Sequence, residues 1–259
     1  MIFSIGVLLV SVLAGAVAAI SGFGIGSLLT PLLSLRFGTK LAVAIISVPH
    51  LIATAARFVR LREHLDRKVF LNFGVLSAVG GLLGALLNSR ANSPALTIVF
   101  GCLLLLAGIS GLTGFLERMR LGRKAAWIEG ALSGFFGGLV GNQGGVRSAA
   151  LLSFDMPKET MVATATAVAL IVDVARMPVC FVVEREGILQ AWTVLLVAIV
   201  GVLLGTFGGV KLLRKIPQQL FPKLLSCLVL ALGILHGCAR NQAAWVTSIA
   251  SLKRFSRAN

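Results

Sequence analysis

The stretch GGLVGNQGGVRSAALL, Gly137–Leu152, interrupts two apolar runs with Asn142, Gln143, a glycine pair and Arg147. Polar side chains and turning backbone are costly in an apolar setting unless they meet partners. What surrounds the stretch decides how it is read. The chain has 259 residues, 57% of them hydrophobic and only 13% charged, well away from the balance of a soluble domain. Ile2–Ile20, Val69–Leu87, Ala95–Leu116, Ile188–Val210 and Leu220–Cys238 each have about the length needed to cross ~30 Å of hydrocarbon as helix. Thr160–Val183 adds a further crossing. The fold class is all-α, a polytopic transmembrane helical bundle.

The net charge of +15 does not require nucleic acid, because membrane proteins concentrate Lys and Arg in cytoplasmic loops. No basic run is interleaved with aromatics, and nucleic-acid binding is not expected. Cys102, Cys180, Cys227 and Cys238 stand in apolar segments without metal-ligand spacing; they read as packing, and no metal or other cofactor is expected. The N-terminal MIFSIGVLLVSVLAGAVAAI lacks the basic flank of a signal peptide, so it reads as a retained first segment.

Sliding the sequence against itself by 119 residues sets Gly15, Gly22 and Gly26 on Gly134, Gly141 and Gly145, and Arg57 on Arg176. With one short insertion, Gly80 and Gly84 fall on Gly201 and Gly205. The loop after Arg57 carries Arg60, Arg62, Arg67 and Lys68, whereas its counterpart after Arg176 is EREG from Glu184. At the next boundary Arg90 stands alone while Lys211, Arg214 and Lys215 crowd the second copy. Equivalent loops on opposite faces are expected of inverted-topology repeats. The division is residues 1–116 as the first inverted repeat, 117–124 as a basic cytoplasmic linker, 125–238 as the second inverted repeat and 239–259 as a basic tail.

Parity of crossings then requires Trp127–Val140 and Val146–Met156 to cancel, as two short spans or, since both are short for a crossing, as a hairpin turning within the membrane around the opening stretch. Ile2–Ile20 and Gly26–Leu35 repeat the design around SGFGIG. Backbone broken at membrane depth is tolerated where it is buried in protein or lines a wet cavity. The helices restarting at Gly26 and Gly145 would offer unpaired N–H groups and positive dipole ends to an anion. Candidate binding residues are therefore Gly24, Gly26, Asn142, Gln143, Gly144, Gly145, Arg147 and Arg176. Other glycine clusters, such as GGLLGA from Gly80 and LLGTFGG from Leu203, read as close helix packing.

Ionisable residues inside spans are functional candidates by default. Asp173 and Arg176 are spaced for a same-face ion pair, which serves either as a structural bridge or as an anion-responsive pair. Arg57, three residues before Arg60, is placed to snorkel to the cytoplasmic surface; its place opposite Arg176 keeps it a candidate gate. His50, after Pro49, could relay protons as a coupling group or be hydrogen-bonded in the bundle.

With GFGIGSLLTPLL from Gly22, AVAIISVPHLIATAAR from Ala42, GGLLGALLNSR from Gly80 and VGVLLGTFGGVKLLRKIP from Val200, the chain resembles the sulfite exporter TauE/SafE family from about Ala14 to Gly237. The resemblance implies a permease of two inverted repeats that moves sulfite, organosulfonates or related sulfur anions across the plasma membrane. Asn142, Gln143 and Arg147 depart from the usual glycine-rich motif, so which anion is carried stays open. The expected partners are a small oxyanion, the lipid bilayer and a proton as coupling ion, with a homo-oligomer left open. An anion channel and a non-transporting membrane subunit are the alternatives. An enzyme is not expected: there are nine acidic residues, mostly in loops, and no HExxH or GxSxG.

Overall fold

The computed structural model describes residues 2–21, 24–114, 122–142, 144, 147, 150–151, 154, 156–209, 227, 230–231 and 234. They form a helical bundle without strands among the described residues: α1 (Ile2–Ser21), α2 (Ile25–Leu61), a 3-10 turn (Arg62–His64), α3 (Arg67–Arg90), α4 (Ser93–Thr113), α5 (Gly122–Val140), α6 (Lys158–Gln190) and α7 (Trp192–Leu204), the last continuing as a π turn over Gly205–Gly209. Five of these segments are long and apolar enough to cross a membrane: Ile2–Ile20, Ile25–His64, Arg67–Arg90, Ser93–Ser110 and Glu159–Gln190. Trp127–Val140 and Trp192–Gly208 are apolar but shorter. Along α3, Leu71, Val75, Val79, Leu83, Leu86 and Leu87 are exposed, an outward apolar surface suited to lipid.

Local chemistry sets the helix ends. Asp66 caps α3 by accepting from the Lys68 and Val69 N–H groups. Asn92 caps α4 through the Ala95 N–H, with Pro94 in the first turn where no helical N–H is needed. Gly114 closes α4 with left-handed backbone, φ 68°. Within α2 the helix breaks at Gly38, φ 75° and ψ 159°, so Ile25–Phe37 is a short helix of its own, close to the expected Gly26–Leu35.

Two expectations are corrected. EREG is not a loop: α6 passes through it, with only Glu184 leaving helical backbone at φ −117° and ψ 23°. The expected span Ile188–Val210 is divided at Ala191, between the end of α6 and the start of α7. The span Leu220–Cys238 and the tail 239–259 lie outside the described residues apart from a few isolated positions.

The contacts fix the courses of the helices. The Asp66 N–H donates to Thr164 Oγ1 at 3.2 Å, while Glu184 lies 4.0 Å from Lys40 Nζ, which donates to the Ser89 carbonyl at 2.8 Å. The 3-10 turn and Glu184 thus sit at opposite ends of α3. Arg60, near the first end, lies 4.4 Å over the Phe207 ring, so α7 returns against the direction of α3.

Glycine then lets two helix pairs touch backbone to backbone. Gly80 and Gly84 of α3 meet the Ala131 and Phe135 carbonyls of α5, and Gly138 meets Gly81. On the other side Gly201 and Gly205 of α7 meet the Leu8 and Val12 carbonyls of α1, and Gly15 meets Val202. Both seams run parallel, so α1 and α5 point in opposite directions. The packing sets Gly15 in correspondence with Gly138, one helical turn from the Gly134 of the sequence slide. Apolar side chains of α1, α2, α4 and α7, among them Val17, Leu28, Ile45, Phe100 and Val202, form the larger core. A smaller one joins Phe73, Trp127 and Phe154 edge-on.

Candidate functional site

Each of the two breaks follows a helix that stops inside the bundle. α1 ends at Ser21, Gly24 takes φ 126°, and α2 begins at Ile25. α5 ends at Val140, Gly141 takes φ 72°, and helical backbone is present again at Gly144. Positive φ of this kind suits glycine alone among unstrained residues. In the first half the helix restarts one residue earlier than the sequence indicates, within the ordinary uncertainty of a helix boundary.

The breaks meet. A Cβ on Gly26 would overlap the carbonyl oxygen of Gly141, and Ser27 Oγ donates to Asn142 Oδ1 at 3.0 Å. Gly24, Gly26, Gly141, Asn142 and Gly144 are all buried. Gly26 therefore serves close approach of the two breaks. Asn142 accepts from Ser27 through its oxygen and keeps Nδ2 as its donor. Thr30, fully buried beside Gly141, has no hydrogen-bond partner for its hydroxyl among the described residues. Gln143 and Gly145 lie outside the described residues.

Two arginines reach the ends of the stopped helices. Arg57 Nη1 donates to the Ala18 carbonyl in the last turn of α1. Arg176 Nη1 donates at 3.2 Å to the Gly137 carbonyl in the last turn of α5. Carbonyls in a last turn mostly lack helical partners of their own, although that of Gly137 also accepts from the Gly141 N–H at 3.0 Å, and a cation there also faces the negative end of the helix dipole. Asn88 Nδ2 supplies a third such contact, to Leu139 at 2.6 Å. Arg57 is 5% exposed, so it does not snorkel to the surface: the carbonyl end of α1 lies within its reach inside the bundle and takes the guanidinium instead.

Asp173 joins the two halves. Its Oδ1 accepts from Arg176 Nη2 at 3.0 Å and Nε at 3.1 Å, and its Oδ2 lies 2.5 Å from His50 Nδ1. His50 Nδ1 is 3.4 Å from Thr54 Oγ1, which in turn accepts from Arg57 Nη2 at 3.3 Å. An unbroken polar chain thus runs from the end of α1 through α2 and α6 to the end of α5. Arg147, 1% exposed, lies close enough for its charge to act on those of Asp173 and Arg57. Among the described residues, three buried guanidinium groups gather around one buried carboxylate. Such a set, beside two interrupted helices in a low-dielectric interior, favours a bound anion.

The sequence profile of the family described as Sulfite exporter TauE/SafE matches residues 7–235. The chain belongs to that family. Membership makes it a multi-pass membrane transporter, not an enzyme, in a family whose substrates are sulfite and related sulfur anions. No curated protein and no solved structure matches the chain. In this TauE/SafE chain the residues singled out from sequence fall into one neighbourhood: Gly24, Gly26, Asn142 and Gly144 at the breaks, His50, Arg57, Asp173 and Arg176 in the polar chain, and Arg147 beside it. Ser27, Thr30 and Thr54 were not predicted. Thr54 carries a signal in the sequence, since the slide that sets Arg57 on Arg176 sets it on Asp173.

Proposed function

We propose that the protein is a secondary transporter that exports a small sulfur-containing oxyanion, sulfite or an organosulfonate, across the plasma membrane by alternating access. The anion is bound where the two breaks meet, between the restarted helices and the guanidinium groups of Arg57, Arg147 and Arg176. One observation carries this reading: cations buried inside a membrane bundle, two of them on last-turn carbonyls of α1 and α5, in a chain with one buried carboxylate among the described residues. Buried charge of this kind is expensive in a membrane protein and marks a pathway for an ion or substrate.

The opposite courses of α1 and α5, and the placing of the 3-10 turn and Glu184 at opposite ends of α3, support two inverted repeats. In such an arrangement one bundle of helices rocks against the other around a fixed site. The parallel seams α1–α7 and α3–α5 each unite a helix from one half with a helix from the other, and so provide two rigid pairs to move. His50 is the group through which a proton is coupled to the anion.

The test is purified protein in liposomes, preloaded with unlabelled sulfite or alkylsulfonate and offered labelled anion, with and without an imposed pH gradient. A carrier gives saturable counterflow without steady current. Steady current proportional to the gradient would make it a channel, and no flux of any sulfur oxyanion would overturn transport.

A further inference from the structure

The two arginine caps share one layout and differ in charge. Ala18 and Gly137 each stand three residues before the end of their helix, and each accepts from the Nη1 of an arginine, Arg57 or Arg176. Three residues before each arginine, one helical turn away, stands a side chain that accepts from the same guanidinium. In the second half this is Asp173, a carboxylate. In the first half it is Thr54, a neutral hydroxyl.

The difference is one of charge. Arg176 is balanced by the carboxylate it touches. Arg57 has no carboxylate within ion-pair distance among the described residues, and its Nε has no hydrogen-bond partner there. It feels Asp173 only across a distance. A guanidinium buried with a hydroxyl and a carbonyl keeps most of its desolvation cost, and an anion that presents two oxygens side by side is the ligand that its fork fits best. The inner half of that ligand's likeness is already present beside Arg176.

We infer that Arg57 is the guanidinium that meets the transported anion, in the place that the Asp173 carboxylate takes beside Arg176. The inference rests on the transport reading above and deepens it. Arg176 with Asp173 is the permanently satisfied copy, a positioning pair that holds α6 to the end of α5. Arg57 with Thr54 is the open copy, and the sulfite or sulfonate oxygens complete it. Thr54 is then the residue that admits an anion at all: a carboxylate in its place would occupy Arg57 from within. His50, in contact with both Thr54 and Asp173, reports occupation of one copy to the other.

The experiment uses the full-length protein, with unfolding temperature followed as sulfite or an alkylsulfonate is added, and labelled counterflow measured in liposomes. In the wild type the anion raises the unfolding temperature. Thr54→Asn, which has the size of aspartate without its charge, is the size-matched comparison and weakens that response less than Thr54→Asp does. Thr54→Asp loses it, with counterflow at low anion concentration reduced about 30-fold or more, the scale of losing one partner of a buried charge pair. Arg57→Gln loses the response likewise, and Arg57→Lys, which keeps the charge but not the fork, weakens it about 5-fold, half-way on the same scale. Where one of these variants does not fold, the others decide. An Arg57→Gln or Thr54→Asp protein that responds to the anion at wild-type concentrations overturns the inference and leaves transport standing. A wild-type protein that responds to no sulfur oxyanion overturns both.

Discussion

Gly26 lies so close to Gly141 that its Cα faces the Gly141 carbonyl oxygen with no room for a methyl group between them. The contact ties the start of α2 to the break after α5, and with it the Ser27–Asn142 hydrogen bond. Gly26→Ala must push the two breaks apart. Overpacking of this kind costs about 1–3 kcal/mol, so the variant should unfold several degrees below the wild type and lose most anion counterflow. Gly6→Ala, where nothing lies within 4 Å of the added carbon, is the matched control and should leave both unchanged. Equal behaviour of the two variants would mean that the breaks do not bear on each other.

The reciprocal seams make a second prediction. Gly84 meets the Phe135 carbonyl as Gly205 meets that of Val12. Close backbone approach at small residues is the main source of helix association in lipid. Gly84→Val and Gly205→Val should therefore lower stability by similar amounts, about 1–3 kcal/mol or more, measured by thermal or denaturant unfolding in detergent. If only one of them is harmful, the two helix pairs are not equivalent supports.

A third prediction concerns Asp173 and Arg176, both essentially inaccessible to solvent. Removing one partner of a buried pair leaves the other charged and uncompensated, at a cost of about 3–5 kcal/mol, while removing both is far milder. Asp173→Asn alone should thus be more damaging to stability than Asp173→Asn combined with Arg176→Gln, and the coupling from the double-mutant cycle should be large. Additive effects would show that the two side chains do not act as a pair.

Much of this arrangement is legible in the sequence, and its failures have physical causes. The breaks at Gly24 and Gly141 show because glycine and amide side chains amid apolar runs have few other uses. The long spans show because only length and hydropathy are needed. Arg57 misleads because Arg60 and Arg62 follow it closely and suggest a water interface. What holds it inside is a backbone carbonyl of Ala18, an acceptor that every residue carries and no pattern marks. EREG resembles a loop by its charge, yet the helix continues because it has reached the bundle's end, where Lys40 reaches Glu184 and the Ser89 carbonyl. Thr54 is ordinary as a residue type; its meaning lies in standing where the other half has an aspartate.

The polar chain also fixes the sign of a pH effect. His50 is 7% exposed and hydrogen-bonded through Nδ1 to Asp173, with Thr54 Oγ1 near the same nitrogen, and Arg57, Arg176 and Arg147 are the remaining charges around the cluster. A neutral imidazole donates its Nδ1 proton to the carboxylate; a protonated one does the same and adds a positive charge. Protonation thus raises the positive potential at the anion site, and by linkage a bound anion raises the affinity of His50 for a proton. Anion affinity should increase as pH falls. An alkylsulfonate is the proper probe, because it keeps a single negative charge throughout the range whereas sulfite changes its own protonation. The expected result is alkylsulfonate binding that tightens as pH is lowered in the wild type, and an affinity independent of pH in His50→Gln. That variant retains an Nε2 donor for Asp173 but cannot take a proton. A pH dependence that survives in His50→Gln would assign the coupling to another group.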